Sequence, residues 1–276
     1  MMRVDAHVHF WRIGRNDCTW PPPELAVIHR DFLPEDWRRE ADAAGVDAAI
    51  AVQSQPSERD TGWLLELARD DARIAGVVGW VDLAARDAAD RIVALAAHPK
   101  LRGLRPMLQD LPDDHWILQP AVAPSIEAMI AHDLCFDALV HPRHLPHLWR
   151  FAERHPALRI VIDHAAKPDI ALGTFEPWRA QIAALAELPN VTCKLSGLVT
   201  EAGDAWQLDD LRPYVEHLLA TFGPRRLLWG SDWPVVNLAA DYSRWLNLAD
   251  TLAGLAGAER AALFGGNAVR VYGIEG

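Results

Sequence analysis

A (β/α)8 TIM barrel is the fold this sequence predicts, and three features carry the prediction. Eight short runs rich in Val, Ile and Leu recur along the 276 residues, each followed by a segment with helical spacing. The runs are apolar nearly throughout rather than alternating, which marks a parallel sheet covered by helices. Eight strand–helix units are the number that closes a barrel, within the roughly 250 residues such a barrel takes. A doubly wound open sheet is the alternative. No linker, composition shift or low-complexity tract divides the chain, so one domain over 1–276 is expected.

The elements follow in order. Strand one is expected over 3–10, and the stretch 18–30 after it, with Trp20-Pro21-Pro22-Pro23, is too proline-rich for helix or strand. In the first helix, 34–41, Pro34 opens the turn and Glu35 and Asp36 sit where the helix dipole favours acids. Strands two to four fall at 48–54, 76–83 and 101–107, with helices at 61–70, 88–97 and 125–132. Strands five to eight are expected at 135–140, 159–163, 191–195 and 226–230, and their helices at 145–154, 178–187, 211–222 and 245–255.

Composition narrows the partners. With 50% hydrophobic and 24% charged residues the chain is not disordered, and a formal charge of −11 repels nucleic acid and anionic membrane. Its basic clusters are no longer than Arg38-Arg39 or Arg225-Arg226. No run approaches the roughly 18 apolar residues of a membrane span, and the N-terminus enters strand one without a secretory segment, so a cytoplasmic protein is expected. Cys18, Cys135 and Cys193 are odd in number and widely spaced, which suits reduced thiols rather than a disulfide framework or a C-x-x-C metal site.

Barrel chemistry sits at the C-terminal ends of the strands, and those ends are polar here. His7 and His9 are two apart on strand one and so share a face, which suits one metal ion better than two separately bonded core histidines. Asp232, after strand eight, is brought beside them by barrel closure and is a candidate general base or metal ligand rather than a turn or cap aspartate. His164, ending strand six, is the candidate third imidazole. His141 and His144 follow strand five with a proline between them, which spoils their spacing as ligands. Arg105 and Lys194 are cations at the ends of strands four and seven, able to hold a carboxylate or polarise a carbonyl. For Arg102 a salt bridge is the expected role. Gln53 and Ser196 end strands two and seven and are candidate substrate contacts, and Trp233, with Trp11, Trp20 and Trp80, can wall a pocket.

Taken together, Asp5-Ala6-His7-Val8-His9, Ala51-Val52-Gln53-Ser54-Gln55-Pro56, Gly103-Leu104-Arg105, Asp163-His164 with Lys167-Pro168, Lys194-Leu195-Ser196-Gly197 and Trp229-Gly230-Ser231-Asp232-Trp233-Pro234 resemble the amidohydrolase superfamily. More narrowly the set resembles its amidohydrolase-2 branch of L-fuconolactonase-like sugar lactonases. The resemblance covers nearly the whole chain, to the Gly266-Asn267-Ala268 turn. It implies a distorted barrel of the amidohydrolase type, hydrolysis of a cyclic ester such as an aldonolactone, and a site of His7, His9, His164 and Asp232. Asp232 is then the base for water, with Arg105 and Lys194 as electrostatic groups and protonated Asp232 or His164 returning the proton. Part of the branch binds one zinc and part works without metal, and both remain open. Strand four lacks a bridging lysine or glutamate and strand five a well-placed histidine, so at most one divalent ion is expected.

A small-molecule lactone is the expected partner, and the sequence leaves a homo-oligomer open. No G-x-S-x-G elbow or Ser-His-Asp order is present, which favours direct attack by water over an acyl-enzyme. Two readings compete with the lactonase: a metal-dependent decarboxylase of the same superfamily, and a noncatalytic sugar-binding barrel. The titratable groups clustered at strand ends disfavour the last.

Overall fold

The computed structural model describes residues 2–275. Eight parallel strands form one sheet in sequential order: β1 Val4–Val8, β2 Ala48–Val52, β3 Ile74–Gly79, β4 Leu101–Leu104, β5 Cys135–Ala138, β6 Ile160–Ile162, β7 Val191–Leu195 and β8 Leu227–Trp229. β8 turns back to β1 through the Val8–Trp233 bridge, where the Trp233 carbonyl accepts from the His9 amide at 2.7 Å. The sheet is thus a nearly closed barrel. Around it run α1 Pro34–Ala44, α2 Glu58–Asp70, α3 Ala88–Ala96, α4 Ala123–Ala131, α5 Leu145–Arg154, α6 Trp178–Ala186, α7 Leu208–Phe222 and α8 Tyr242–Ala253. No helix among the described residues is long and apolar enough to cross a membrane.

Local sequence sets the helix ends as the principles of capping require. Pro34 starts α1, the Asp36 carboxylate accepts from the Leu33 amide at 3.1 Å, and Gly45 ends the helix at φ 64°. The Ser57 hydroxyl receives the Arg59 amide at α2, and the Asp241 carboxylate receives the Arg244 amide at α8.

Two apolar layers result. A larger one fills the space between sheet and helices, with Trp37, Trp178, Trp229 and Trp245 among its fully buried side chains. A smaller one lies inside the barrel, where Val4, Ala6, Ile50, Val52, Val78, Cys135, Val161 and Leu228 meet Val271 and Tyr272. Those last two come from α10, Asn267–Tyr272, which follows the short α9, Gly257–Ala261, and a wide helical turn at Ala262–Gly266. The barrel interior is therefore plugged from one end by the chain's own terminal helix, and the polar strand ends are left at the other. All three cysteines are free and buried.

Candidate active site

At the C-terminal ends of the strands one carboxylate oxygen collects three imidazoles. Asp232 Oδ1 lies 3.4 Å from His9 Nε2, 3.7 Å from His7 Nε2 and 3.8 Å from His164 Nε2, and the two Nε2 atoms of His7 and His9 are 3.1 Å apart. Barrel closure makes this possible. The Asp5 carboxylate accepts from the Ser231 amide at 2.8 Å and from the Tyr242 hydroxyl at 2.8 Å, tying the end of β8 to β1. Gly230 completes the approach, because a Cβ there would stand 2.8 Å from the His7 Cβ.

Two of the converging side chains ride on left-handed backbone, which is uncommon outside glycine. Asp232 has φ 59°, and residues His164, Ala165, Ala166 and Lys167 form an unbroken left-handed turn with φ of 52°, 52°, 61° and 49°. Each such residue costs roughly 1–3 kcal/mol, and strain of this kind persists where the surroundings fix it at functional sites. Its effect here is to swing His164 and Lys167 toward the same opening. Gly197, at φ 67°, leaves room for the His164 ring, which a Cβ would meet at 2.7 Å.

The cluster floors a cavity of about 390 Å³ lined by His9, His164, Asp232, Arg105 and Lys167, with Trp20, Gln55, Met107 and Val235 among its walls. Gln55 fastens the proline-rich loop over it, donating to the Trp20 carbonyl at 2.8 Å and accepting from the Thr19 amide at 3.1 Å. Arg105 is 3% exposed, donates to the Gln53 carbonyl at 2.5 Å, and reaches Asp163 at 3.3 Å and His7 Nε2 at 3.4 Å. A guanidinium so held points at the space above the imidazoles.

Four expected contacts are corrected. Lys194 is wholly buried and lies beneath His7 rather than in the cavity wall; its ammonium meets Asp137 at 2.6 Å, Asp163 at 2.9 Å and His7 Nδ1 at 3.1 Å. It sits one residue before the end of β7, so its side chain turns into the barrel. Gln53 braces Arg105 by donating to that residue's carbonyl at 3.0 Å. Ser196 stands behind His164, its hydroxyl 2.8 Å from Nδ1. Trp233 packs its ring on Phe10 and Phe32 and is 2% exposed. None of these four lines the cavity. Arg102 forms no ion pair among the described residues, and its Nε has no hydrogen-bond partner. His144 faces Asp114 at 3.2 Å, and His141 receives no place in the cluster.

Sequence reasoning missed Lys167 as a cavity cation, 3.8 Å from Glu201, and missed Asp137 and Tyr272, whose hydroxyl donates to Asp137 at 2.6 Å. A signal existed: Asp137 and Lys194 are opposite charges inside otherwise apolar strands, and buried charges must pair.

Burial and neighbours set the charge states. Burial pushes the His164 imidazole down to about 4 and pushes His7 well below its ordinary value, in the latter case helped by the Lys194 charge. For Asp232 burial acts upward, but His164, His9 and His7 together hold the carboxylate below its usual range. Burial pushes Asp137 up to about 6, whereas Lys194 and His7 overcome burial at Asp163 and keep it ionised.

These residues can hold a metal ion. Ligands 2.0–2.1 Å from a tetrahedral zinc stand about 3.3 Å from one another, close to the 3.1–3.8 Å separations among Asp232 Oδ1 and the imidazole nitrogens. His7, His9 and Asp232 form one candidate group, and His7, Asp163 and His164 a second that shares His7.

A buried imidazole–carboxylate cluster under one cavity, at the C-terminal face of a (β/α)8 barrel, defines the candidate centre of a barrel enzyme. A sequence model of the family described as amidohydrolase matches residues 4–274, and the chain belongs to that family. It is 51% identical to a protein from Burkholderia ambifaria named L-fucono-1,5-lactonase, over 99% of this chain and 96% of that one. A crystal structure of an amidohydrolase from Burkholderia multivorans with bound zinc is 42% identical, with TM-score 0.93 over the whole of both chains. A 2,6-dihydroxybenzoate decarboxylase structure, 14% identical with TM-score 0.72 over 99% of each chain, shares the fold.

Proposed function

We propose that this protein is a lactonase that opens a sugar 1,5-lactone of the L-fuconolactone type by direct attack of water. The observation that carries the reading is the Asp232 carboxylate, ionised and facing the cavity beside the Arg105 guanidinium, in a chain alike from end to end to a protein named for that reaction.

Hydrolysis needs a base for water, a polarised carbonyl and a proton for the leaving alkoxide. Asp232 takes a proton from a water seated in the cavity as the oxygen adds to the lactone carbonyl. Arg105, fixed from behind by Gln53 and Asp163, faces the charge that develops on the carbonyl oxygen. When the ring C–O bond breaks, Asp232 returns its proton to the departing sugar oxygen, and the product is the open hydroxy acid. Lys167, which also lines the cavity, is placed for substrate hydroxyls or the new carboxylate. His7, His9, His164 and Asp232 are the residues that would hold one zinc ion, which when bound supplies Lewis-acid polarisation and a more acidic water.

A panel of aldono-1,5-lactones and 1,4-lactones in weak buffer with a pH indicator tests this. Acid release is expected, fastest on a 6-deoxy 1,5-lactone, with at most one equivalent of metal in the protein. No acid release from any lactone, or carbon dioxide evolved from an aromatic acid, would contradict it.

A further inference from the structure

Arg225 and Arg226, a basic pair that the active site does not use, meet a third arginine at the other end of the barrel. The pair lies just before β8 and Arg270 lies on α10, so the three share a pocket of about 400 Å³ at the N-terminal face of the sheet. Asn267, Ala258 and Ala262 complete its lining. The pocket is as roomy as the cavity over Asp232, and its size is that of small-molecule sites, roughly 300–1,000 Å³.

Backbone oxygens hold its walls. Asn267 is 3% exposed and donates through Nδ2 to the Pro224 and Leu227 carbonyls at 2.8 and 2.7 Å, which fixes the start of α10 against the entry to β8. Arg270 Nη2 donates to the Arg225 carbonyl at 2.5 Å and to Asn267 Oδ1 at 3.3 Å. Arg226 Nη1 donates to the Leu188 and Val191 carbonyls at 3.1 and 3.4 Å. The Arg225 side chain is exposed at the pocket and takes no part in this bracing.

What the pocket lacks is negative charge. Nearby Arg260 grips Asp250 at 2.7 and 2.8 Å, and that carboxylate holds its guanidinium above the ordinary value. None of Arg225, Arg226 and Arg270 forms an ion pair among the described residues, and burial pushes Arg226 down with no carboxylate to offset it. Three like charges brought to one concavity repel one another, in a chain whose formal charge is −11 and which has acids to spare. An anion removes that repulsion, and guanidinium forks with N–H groups still free suit phosphate oxygens. We propose that this pocket is a second ligand site, separate from the active site, for a small phosphate-bearing anion, taken as free phosphate or as the phosphoryl group of a metabolite. Three cations match a phosphate dianion better than a single carboxylate, and the net charge of the chain repels a polymer such as nucleic acid. A phosphate between Arg225 and Arg270 also ties α10 to the start of β8, so binding stabilises the fold.

Calorimetric titration of the whole protein at constant ionic strength, with inorganic phosphate and with phenyl phosphate as probes, tests the site. Phosphate should bind with a Kd on the order of 1 mM or tighter, and Tm should rise with its concentration. Arg225→Ala removes no hydrogen bond that braces the pocket and should weaken binding about tenfold or more, the scale of one lost charge-assisted hydrogen bond. Arg270→Gln should do the same, whereas Arg105→Met, in the active site, should leave this binding unchanged. Tighter binding of phenyl phosphate would identify an organic phosphate as the ligand, and equal or weaker binding the free ion. Failure of both probes to bind, or binding that neither Arg225→Ala nor Arg270→Gln weakens, would overturn the proposal. The titration uses no lactone, so that result would leave the lactonase reading untouched.

Discussion

Asp232 and Asp163 are both buried carboxylates kept ionised against the cost of burial, yet only Asp232 faces the cavity. Asp232 belongs to an upper layer with His9, His164 and Arg105, each 3–4% exposed through the opening. Asp163 belongs to a lower layer with Lys194 and Asp137, all fully sealed and closed from below by the Tyr272 hydroxyl. The layers touch at His7, which meets Asp232 on one edge and Lys194 on the other, and at the Arg105–Asp163 pair. Depth along the barrel, rather than residue type, separates a group that can meet substrate from one that can only hold its neighbours.

The largest effect should come from breaking the lower layer. Lys194→Met leaves Asp137 buried without its cation and Asp163 with Arg105 alone, which costs about 3–5 kcal/mol and should lower Tm on the order of ten degrees. A variant with unchanged Tm would show that the lower layer is not a structural ion-pair network. In the upper layer, Arg105→Met should reduce kcat/KM about a hundredfold, the scale of losing one preorganised electrostatic group. Arg102→Met, which touches no cavity atom, should change it little. Equal losses for the two would remove Arg105 from the site.

The smallest effect concerns a carboxylate outside both layers. Asp60 shapes the loop after β2 by accepting from the Ser54 and Gln55 amides at 2.9 and 3.3 Å, and burial pushes it up to about 6. Its unfolded value is near 3.9, so between these pH values the folded protein holds the extra proton. Stability relative to Asp60→Asn should therefore rise, by a kcal/mol or two, as pH falls from 7.5 to 5. Urea midpoints for the two proteins at each pH measure the difference. A gap that stays constant or reverses would mean that the two amides, not burial, control this group.

The sequence made the strands legible because a parallel barrel demands apolar runs, and all eight runs overlap observed strands. Boundaries drifted where apolar residues continue into loops: Val81 and Leu83 are buried but lie beyond the end of β3 at Gly79. The plug was not legible, since α9 and α10 are one to two turns long and separated by a turn whose Gly265 lies against the Met2 carbonyl, where a Cβ would stand 2.1 Å away. In the site, proximity to a strand end located His7, His9, Arg105, His164 and Asp232. It does not tell which side chains point up and which point in, so by sequence alone Lys194, Gln53, Ser196 and Trp233 all face substrate, whereas in the fold they do not line the cavity. The left-handed turn at 164–167 left no mark either, because alanines there give no hint of positive φ.

Separation of the two layers is tested most directly at Asp232. Asparagine keeps its size and one carbonyl oxygen but cannot accept a proton as a carboxylate does. For Asp232→Asn, turnover of the best lactone and Tm should be measured on the same preparation. Turnover should fall by about a hundredfold or more while Tm moves by no more than a few degrees. A variant that keeps near wild-type turnover, or that loses activity only because it unfolds, would contradict the assignment of Asp232 as the group that activates water.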